Sequence, residues 1–599
     1  MTETRHYDAI VVGGGPVGAH VAKKLTEQKK TVLMLEAGRA GGLTYEGYRS
    51  YVDSYYTKVI KDTNSPYPYN ASAPSPNDSD ILKVVRGTPD LVGYQVEVGP
   101  QAFGSTYLRQ LGGTSLHWLG TTPRFVPNDF HINTTYGVGV DWPLTYDDLQ
   151  DYYCEAEWSI GVSANRKDQE HLGVWFPPGY DYPMERIPPS FSDQIIAEST
   201  KSLKVKLAGR DYPVRVSSLA QARNSIPRAG YPPVGAVGNP DIGQRCEGNA
   251  TCIPICPVQA KYSALKTIAR LDPEYFTLLA QAVVTKLNIA PNGRISGVEY
   301  IRYETEGATA APTTATATIY VLAGHAVENA KLLLASGAAN SSDQVGRNLM
   351  DHPFSYTWAL APQSMGSFRG PIQTSGIESL RDGAFRKHFA AFRIDLGNAG
   401  WDIVNYPPNG DVTTALSHNV FGKNLRAKMS DTLPRQVRIG FDIEQLAQPQ
   451  NRVKISNEFK DAVGCFRPII EYSVSDYTWQ AMVEGMKVAG AVYDAMGIPG
   501  KDQFFQVTDD TLPDERKFRA KDGKDYLLNF IGAGHHIGTH RMGASRRDSV
   551  VNRNQRSWDH ENLYVVGCGS FPTTGTANPT LTAIAITLRS TKDMLKQLR

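Results

Sequence analysis

Three histidines crowd the stretch Gly534-His535-His536-Ile537-Gly538-Thr539-His540, and three cysteines follow the spacing Cys246-x5-Cys252-x3-Cys256. A neutral imidazole is the side chain best suited to take up a proton near neutral pH, so the first group offers a general base. Thiolates are metal and cluster ligands. Three of them in one Gly- and Pro-rich loop suit an iron–sulfur centre of the three-iron kind better than zinc, which needs a fourth ligand that no nearby histidine supplies. The alternative is three buried thiols without a metal. A third group is made of glycines: Gly13, Gly15 and Gly18 give G-x-G-x-x-G, with Glu36 beyond them. In that pattern Gly13 permits a tight turn, Gly15 lets the backbone approach a pyrophosphate, and Gly18 lets a helix pack closely on a strand.

These groups can act only if regular elements hold them. Residues 7–12 read as a short buried strand, 17–28 as a helix whose first N–H groups face phosphate, and 31–35 as a second strand ending at Glu36. An acid there accepts hydrogen bonds from ribose hydroxyls and disfavours a 2′-phosphate. The unit predicts a bound dinucleotide without separating FAD from NAD. Far along the chain, residues 563–570 read as an apolar strand ending in glycines and 581–595 as a helix, joined by FPTTGTANPT at 571–580. That strand and helix return the chain to the first sheet, so the dinucleotide domain is discontinuous. Residues 321–337 add another strand, turn and helix. Residues 436–443 and 451–455 read as two strands joined across 445–450, suited to a roofing sheet. Residues 64–80 and 305–318 read as exposed loops from their Pro, Ser, Asn, Thr and Ala content.

Hydrophobic residues make up 41% and charged residues 20% of 599 positions, an ordinary globular balance for a chain of several structural units. Lys plus Arg (62) nearly cancels Asp plus Glu (60), so no net field exists to hold nucleic acid or an anionic membrane, and a neutral substrate is expected. Six cysteines are too few for a disulfide scaffold. No eighteen-residue apolar run and no signal peptide is visible, and the expected location is cytoplasmic.

Five motifs together carry a specific resemblance. The fingerprint ending in Glu36-Ala37-Gly38, LGGTSLHW at 111–118, GRNLMDHP at 346–353, HHIGTHRMG at 535–543 and NPT at 578–580 are similar, in this order, to the motifs of the glucose–methanol–choline (GMC) oxidoreductase family. The nearest likeness is to its pyranose oxidases, glycoside 3-oxidases and bacterial FAD sugar dehydrogenases. The resemblance implies an α/β (α+β) fold. Residues 1–125, 243–355 and 540–599 would form a Rossmann-like FAD-binding domain, and 126–242 and 356–539 a sheet-roofed substrate domain.

The resemblance also assigns roles. It makes His535 the catalytic base, and Asn578 the amide that holds the substrate oxygen while hydride passes from a sugar or glycoside carbon to flavin N5; His536 and His540 read as satisfied core or surface residues. It adds Gly113, Thr114, His117, Gly569, Ser570, Pro579 and Thr580 to Gly13, Gly15, Gly18 and Glu36 as FAD-binding residues. His117 is implied either as a covalent tether or as a plain flavin contact. Cys568 stands where many members carry an acid near the ribityl chain, so backbone N–H groups around 567–571 are expected to serve there. Reduced flavin is expected to be discharged by oxygen, a quinone or another diffusible acceptor. The alternative is an iron–sulfur relay through Cys246, Cys252 and Cys256 to a redox subunit, and a further alternative is a non-redox lyase of the same fold.

Overall fold

The computed structural model describes residues 6–58, 62–77, 93–239, 243–248, 252–305, 311–401, 409–505 and 516–599. The chain builds two seven-stranded sheets. In the first, β1 (His6–Val12) is flanked by β2 (Val32–Leu35) and by the strand Thr313–Leu322. The strands Phe276–Leu279 and Leu563–Val565 extend the parallel array on either side. All four residues of β2 are buried, and Ala9, Ile10 and Val11 are fully so. Such continuous apolar runs are what a parallel sheet covered on both faces requires. α1 (Pro16–Thr26) and the helix Thr580–Gln597 pack together against it. The outer half of Thr313–Leu322 pairs antiparallel with Ile295–Arg302, which pairs with Ala282–Ile289.

The second sheet is antiparallel, with Pro353–Leu360, Gln436–Ile443, Phe392–Gly397, Ser375–Ile377 and Val216–Ser218 in that order. The helix Asp476–Ala495 lies across it and buries Trp479 completely. At one end of this sheet Pro353 pairs with Gly532, and just before it Met350 exchanges backbone hydrogen bonds of 3.0 and 2.9 Å with Ile537. These pairings fix residues 350–353 beside 532–537.

Three expectations are corrected. Residues 451–455 are not joined to 436–443: Arg452–Lys454 pairs with Ile469–Glu471 in a separate small sheet that also takes Val96–Glu97. Thr313–Thr318 belongs to a central strand rather than a loop, because its alternating Thr and Ala fit a half-buried pleat; residues 306–310 lie outside the described residues. Residues 64–77 are not an exposed loop either. Tyr67, Asn70, Ser72 and Ala73 are buried, and Asn70 donates to the Tyr303 hydroxyl (2.7 Å), which donates to the Ala37 carbonyl (2.6 Å); residues 78–80 lie outside the described residues. Among the described residues no helix is long and apolar enough to cross a membrane.

Candidate active site

Val12 stands beside both Leu35 and Leu322, and Leu322 beside Val565, so four parallel strands end level with one another. Their outgoing loops open on a common crevice, where open parallel sheets bind ligands. This crevice is a cavity of about 390 Å³. Gly13, Gly15, Glu36, Gly113, Thr114, Pro579 and Thr580 line it, as do Gly567 and Cys568.

The glycines divide the work as the sequence predicts. Gly13 has φ +103°, and a Cβ there would stand 2.6 Å from the Ala323 carbonyl oxygen. A Cβ on Gly15 would meet no protein atom within 4 Å, which leaves its backbone open to the cavity. A Cβ on Gly18 would run into the Gly13 carbonyl oxygen, so Gly18 seats α1 on the turn and does not itself line the cavity. No side chain caps α1 at Gly15, and its leading N–H groups suit a pyrophosphate. Glu36 accepts from the N–H groups of Gly14 and Gly38, each at 2.8 Å, and keeps further lone pairs for ribose hydroxyls. Burial raises its pKa, against those two N–H groups and the charge of Arg109. Glycines that admit a phosphate backbone, a helix N-terminus and a buried acid at the far end fit FAD.

His535 lines the same cavity. Its Nε2 is 3.1 Å from Asn578 Nδ2, and its Nδ1 is 3.1 Å from His352 Nδ1. Burial, with His352 and Arg393 adding to it, holds the His535 pKa well below the ordinary histidine value, so the ring is a neutral base. Asn578 is itself outside the lining, and its Oδ1 is buried without a hydrogen-bond partner. The loop that carries it is anchored along its length: Trp142 Nε1 donates to Thr573 Oγ1, Gln445 N to Thr574 Oγ1, Thr576 Oγ1 to Asp129, and Arg381 Nε to the Thr576 carbonyl.

Asp351 braces the backbone beneath His535. Its Oδ1 accepts from the N–H groups of His352 (2.6 Å) and His535 (3.0 Å), and its Oδ2 from Ser105 Oγ (2.5 Å) and the Gly534 N–H (3.2 Å). Burial pushes its carboxyl up to about 7 while these four donors oppose the shift. Ligand atoms of Asp351, His352 and His535 lie within 4.8 Å of one another, but hydrogen bonds already occupy them, which makes this a relay of hydrogen bonds rather than a cation cage.

Other residues singled out by sequence fall elsewhere. His117 is buried outside the cavity lining, donates from Nδ1 to the Thr63 carbonyl (3.0 Å), and has its pKa lowered to about 4 by burial; its neighbour Trp118 lines the cavity instead. Gly569 and Ser570 lie behind the wall: a Cβ on Gly569 would strike the His540 ring, and Ser570 Oγ donates to the Gly567 carbonyl. The N–H groups of Ser570 and Phe571 are spent on the carbonyls of Gly567 and Cys568, so they are not free for a ribityl chain. His540 is buried in the core, while His536, also buried, forms part of the cavity wall, edge-on to Tyr107 and His325. Asp351, His352, Tyr107 and His325 received no role from sequence, although GRNLMDHP holds the first two.

Cys246, Cys252 and Cys256 line a second, small cavity together with Arg223 and Lys261. Among the described residues their sulfurs do not form a set within 4.8 Å of one another, a separation too wide for one tetrahedral zinc. Lys261 Nζ donates to the carbonyls of Cys252 and Trp118, both at 2.5 Å, and so ties this loop to the wall of the larger cavity.

The N-terminal GMC oxidoreductase family model matches residues 134–354 and the C-terminal one residues 447–587. The chain is 30% identical to the fructose dehydrogenase large subunit of Gluconobacter japonicus, over 100% of this chain and 99% of that one. It is 22% identical to a C-glycoside 3-oxidase of Microbacterium trichothecenolyticum, over 99% and 97%. Its fold is similar to that of pyridoxine 4-oxidase from Mesorbium loti, with a TM-score of 0.56 at 16% identity, over 98% and 99% of the two chains.

Proposed function

This chain belongs to the GMC oxidoreductase family, and we propose that it oxidises a secondary hydroxyl of a pyranose sugar or glycoside to the ketone with FAD as oxidant. The observation that carries the reading is that His535 lines the dinucleotide cavity with its Nε2 3.1 Å from Nδ2 of Asn578, which stands behind it. The fructose dehydrogenase and C-glycoside 3-oxidase relatives support a sugar-like donor.

Gly13, Gly15 and Glu36 would hold the pyrophosphate and ribose, and FAD bound there supplies the two-electron acceptor for the hydride. His535 takes the hydroxyl proton at Nε2. Asn578 donates from Nδ2 to the same oxygen, which favours the alkoxide as the proton leaves. A hydroxyl bound between these groups replaces the direct contact between them. Anaerobic bleaching of the flavin by a panel of free sugars and glycosides, followed by regiochemical analysis of the keto product, tests this. A flavin that no polyol bleaches defeats the reading and favours the non-redox lyase.

A second reading bears on the acceptor. The convergence of Cys246, Cys252 and Cys256 on one cavity, with Arg223 and Lys261 to balance thiolate charge, supports a three-iron cluster over three unrelated buried thiols. The resemblance to a dehydrogenase large subunit points the same way. Such a cluster supplies one-electron transfer to a redox subunit, in place of direct discharge to oxygen or a quinone. Iron and acid-labile sulfide, assayed in protein purified without air, decide between them: about three irons per chain supports the cluster, and substoichiometric iron returns the enzyme to a diffusible acceptor.

A further inference from the structure

We propose that His352 is the positioning residue that sets the tautomer of His535, through a relay that begins at the backbone carbonyl of Gly575. The inference rests on His535 being the base.

The relay follows from which atoms can donate. His352 Nε2 lies 3.1 Å from the Gly575 carbonyl oxygen. A carbonyl only accepts, so the proton of a neutral His352 sits on Nε2. Burial keeps His352 neutral by lowering its pKa to about 3. Its Nδ1 therefore presents a lone pair, and the atom 3.1 Å away is His535 Nδ1. Two lone pairs cannot face each other at that distance, so His535 carries its proton on Nδ1 and donates it to His352. Its Nε2 is then bare, as a base requires, and accepts from Asn578 Nδ2. The opposite tautomer would place a proton on the reacting nitrogen, oppose it to an amide N–H and leave His352 Nδ1 unsatisfied in the interior. Each of these is a lost or repelled buried hydrogen bond.

The geometry is held from three sides. Asp351 takes the backbone N–H groups of both His352 and His535. The pairings of Pro353 with Gly532 and Met350 with Ile537 bracket the two histidines. Gly575 has φ +63°, and a Cβ there would strike the Phe125 ring, so its peptide is fixed by packing. Gly575 and Asn578 share a loop: one segment supplies both the amide partner of the base and the carbonyl that orients it.

Two variants separate orientation from mere packing. In His352→Asn the side-chain oxygen can stand near the place of Nδ1 and accept from His535, whereas His352→Leu fills space without an acceptor. The rate constant of anaerobic flavin reduction is expected to fall on the order of a hundredfold or more in the leucine variant, the scale of general base catalysis, with the saturating sugar concentration little changed. The asparagine variant is expected to recover most of that loss. Equal losses in both, or none in either, overturn the proposal. The second measurement needs neither a His352 variant nor substrate: the ¹⁵N spectrum of histidine-labelled wild-type protein, with His535 assigned by its absence in His535→Ala. A protonated Nδ1 and an unprotonated Nε2 are expected, and the reverse pattern overturns the relay even if the leucine variant fails to fold. If the tautomer is as described while His535→Ala still reduces flavin at full rate, the relay stands and the assignment of the base fails.

Discussion

His535 and Asn578 reach each other, Nε2 to Nδ2, at 3.1 Å from two different supports. The histidine hangs from a segment pinned to the antiparallel roof through Met350 and Pro353, and the asparagine immediately precedes the helix Thr580–Gln597 that packs on the parallel sheet. The proposed base and its amide partner thus come from two separately anchored segments.

Replacing His535 tests the simplest consequence of the proposed mechanism. His535→Ala is expected to keep its yellow FAD, since the pyrophosphate and ribose residues lie elsewhere, and to lose flavin reduction by about a hundred- to ten-thousand-fold. Stopped-flow absorbance under anaerobic conditions reads this directly. A reduction rate within a few-fold of wild type would remove His535 from the mechanism.

With His535 as the proposed base, its depressed pKa is expected to set the acid limit of the reaction. A base with a lowered pKa stays unprotonated as pH falls through the ordinary histidine value and is lost only below it. The reduction rate is therefore expected to hold between pH 8 and about 6, with its acid limb below the ordinary value of about 6.5. Arg393 and His352 act in this direction and the carboxyl of Asp351 faces the same backbone. An acid limb centred above 7 is incompatible with the buried ring.

Two glycines of the fingerprint predict opposite failures. Gly15→Ala adds a methyl group that meets no protein atom within 4 Å, so apoprotein stability is expected to hold while FAD binding weakens. A displacement cost of about 1–3 kcal/mol corresponds to roughly five- to 150-fold in Kd. Gly18→Ala drives a methyl into the Gly13 carbonyl and is expected to lower the unfolding temperature even of apoprotein. Thermal unfolding with and without FAD distinguishes the two, and identical behaviour would contradict the geometry.

His20 offers a test of burial away from the active site. It is fully buried on α1, with Nδ1 2.7 Å from the Pro16 carbonyl and Nε2 3.0 Å from Ser159 Oγ, and burial lowers its pKa to about 4. The unfolded chain binds this proton near 6.5, so the contribution of His20 is fully present above that pH and lost as pH falls toward 4. The stability difference between wild type and His20→Gln is expected to shrink by about 1.4 kcal/mol for each pH unit in that window. A difference that ignores pH shows that the ring charges without penalty.

What the sequence could reveal depended on how local each signal was. The turn at Gly13 to Gly18 and the acid at Glu36 lie within one strand–helix–strand unit, and their positions follow from backbone constraints alone. The NPT motif and the histidine pair were legible because they form short fixed patterns. The role proposed for His352 was not, since it depends on a carbonyl at Gly575, and a carbonyl leaves no trace in side-chain identity. Residues 64–77 misled for a related reason. Their Pro, Ser and Asn content is that of a loop, yet Asn70 spends its amide on Tyr303, a partner visible only once the sheet has formed. The strand at 313–318 was hidden by its Thr and Ala composition, which a pleat accepts as readily as a loop does.

The parallel sheet also constrains the order of synthesis. β1 is synthesised long before the strand Leu563–Val565 that completes the level edge around the crevice, and Lys30 donates to the carbonyl of Leu598. Contacts so distant in sequence form late and at high loop-closure cost. During translation the first half of the fingerprint must therefore wait, with its apolar strand and helix unsheltered, until residues 563–597 have emerged. Cofactor capture at the complete crevice is accordingly expected only after residues 563–597 have been made, and free FAD is expected to raise the yield of folded chain by binding the completed site.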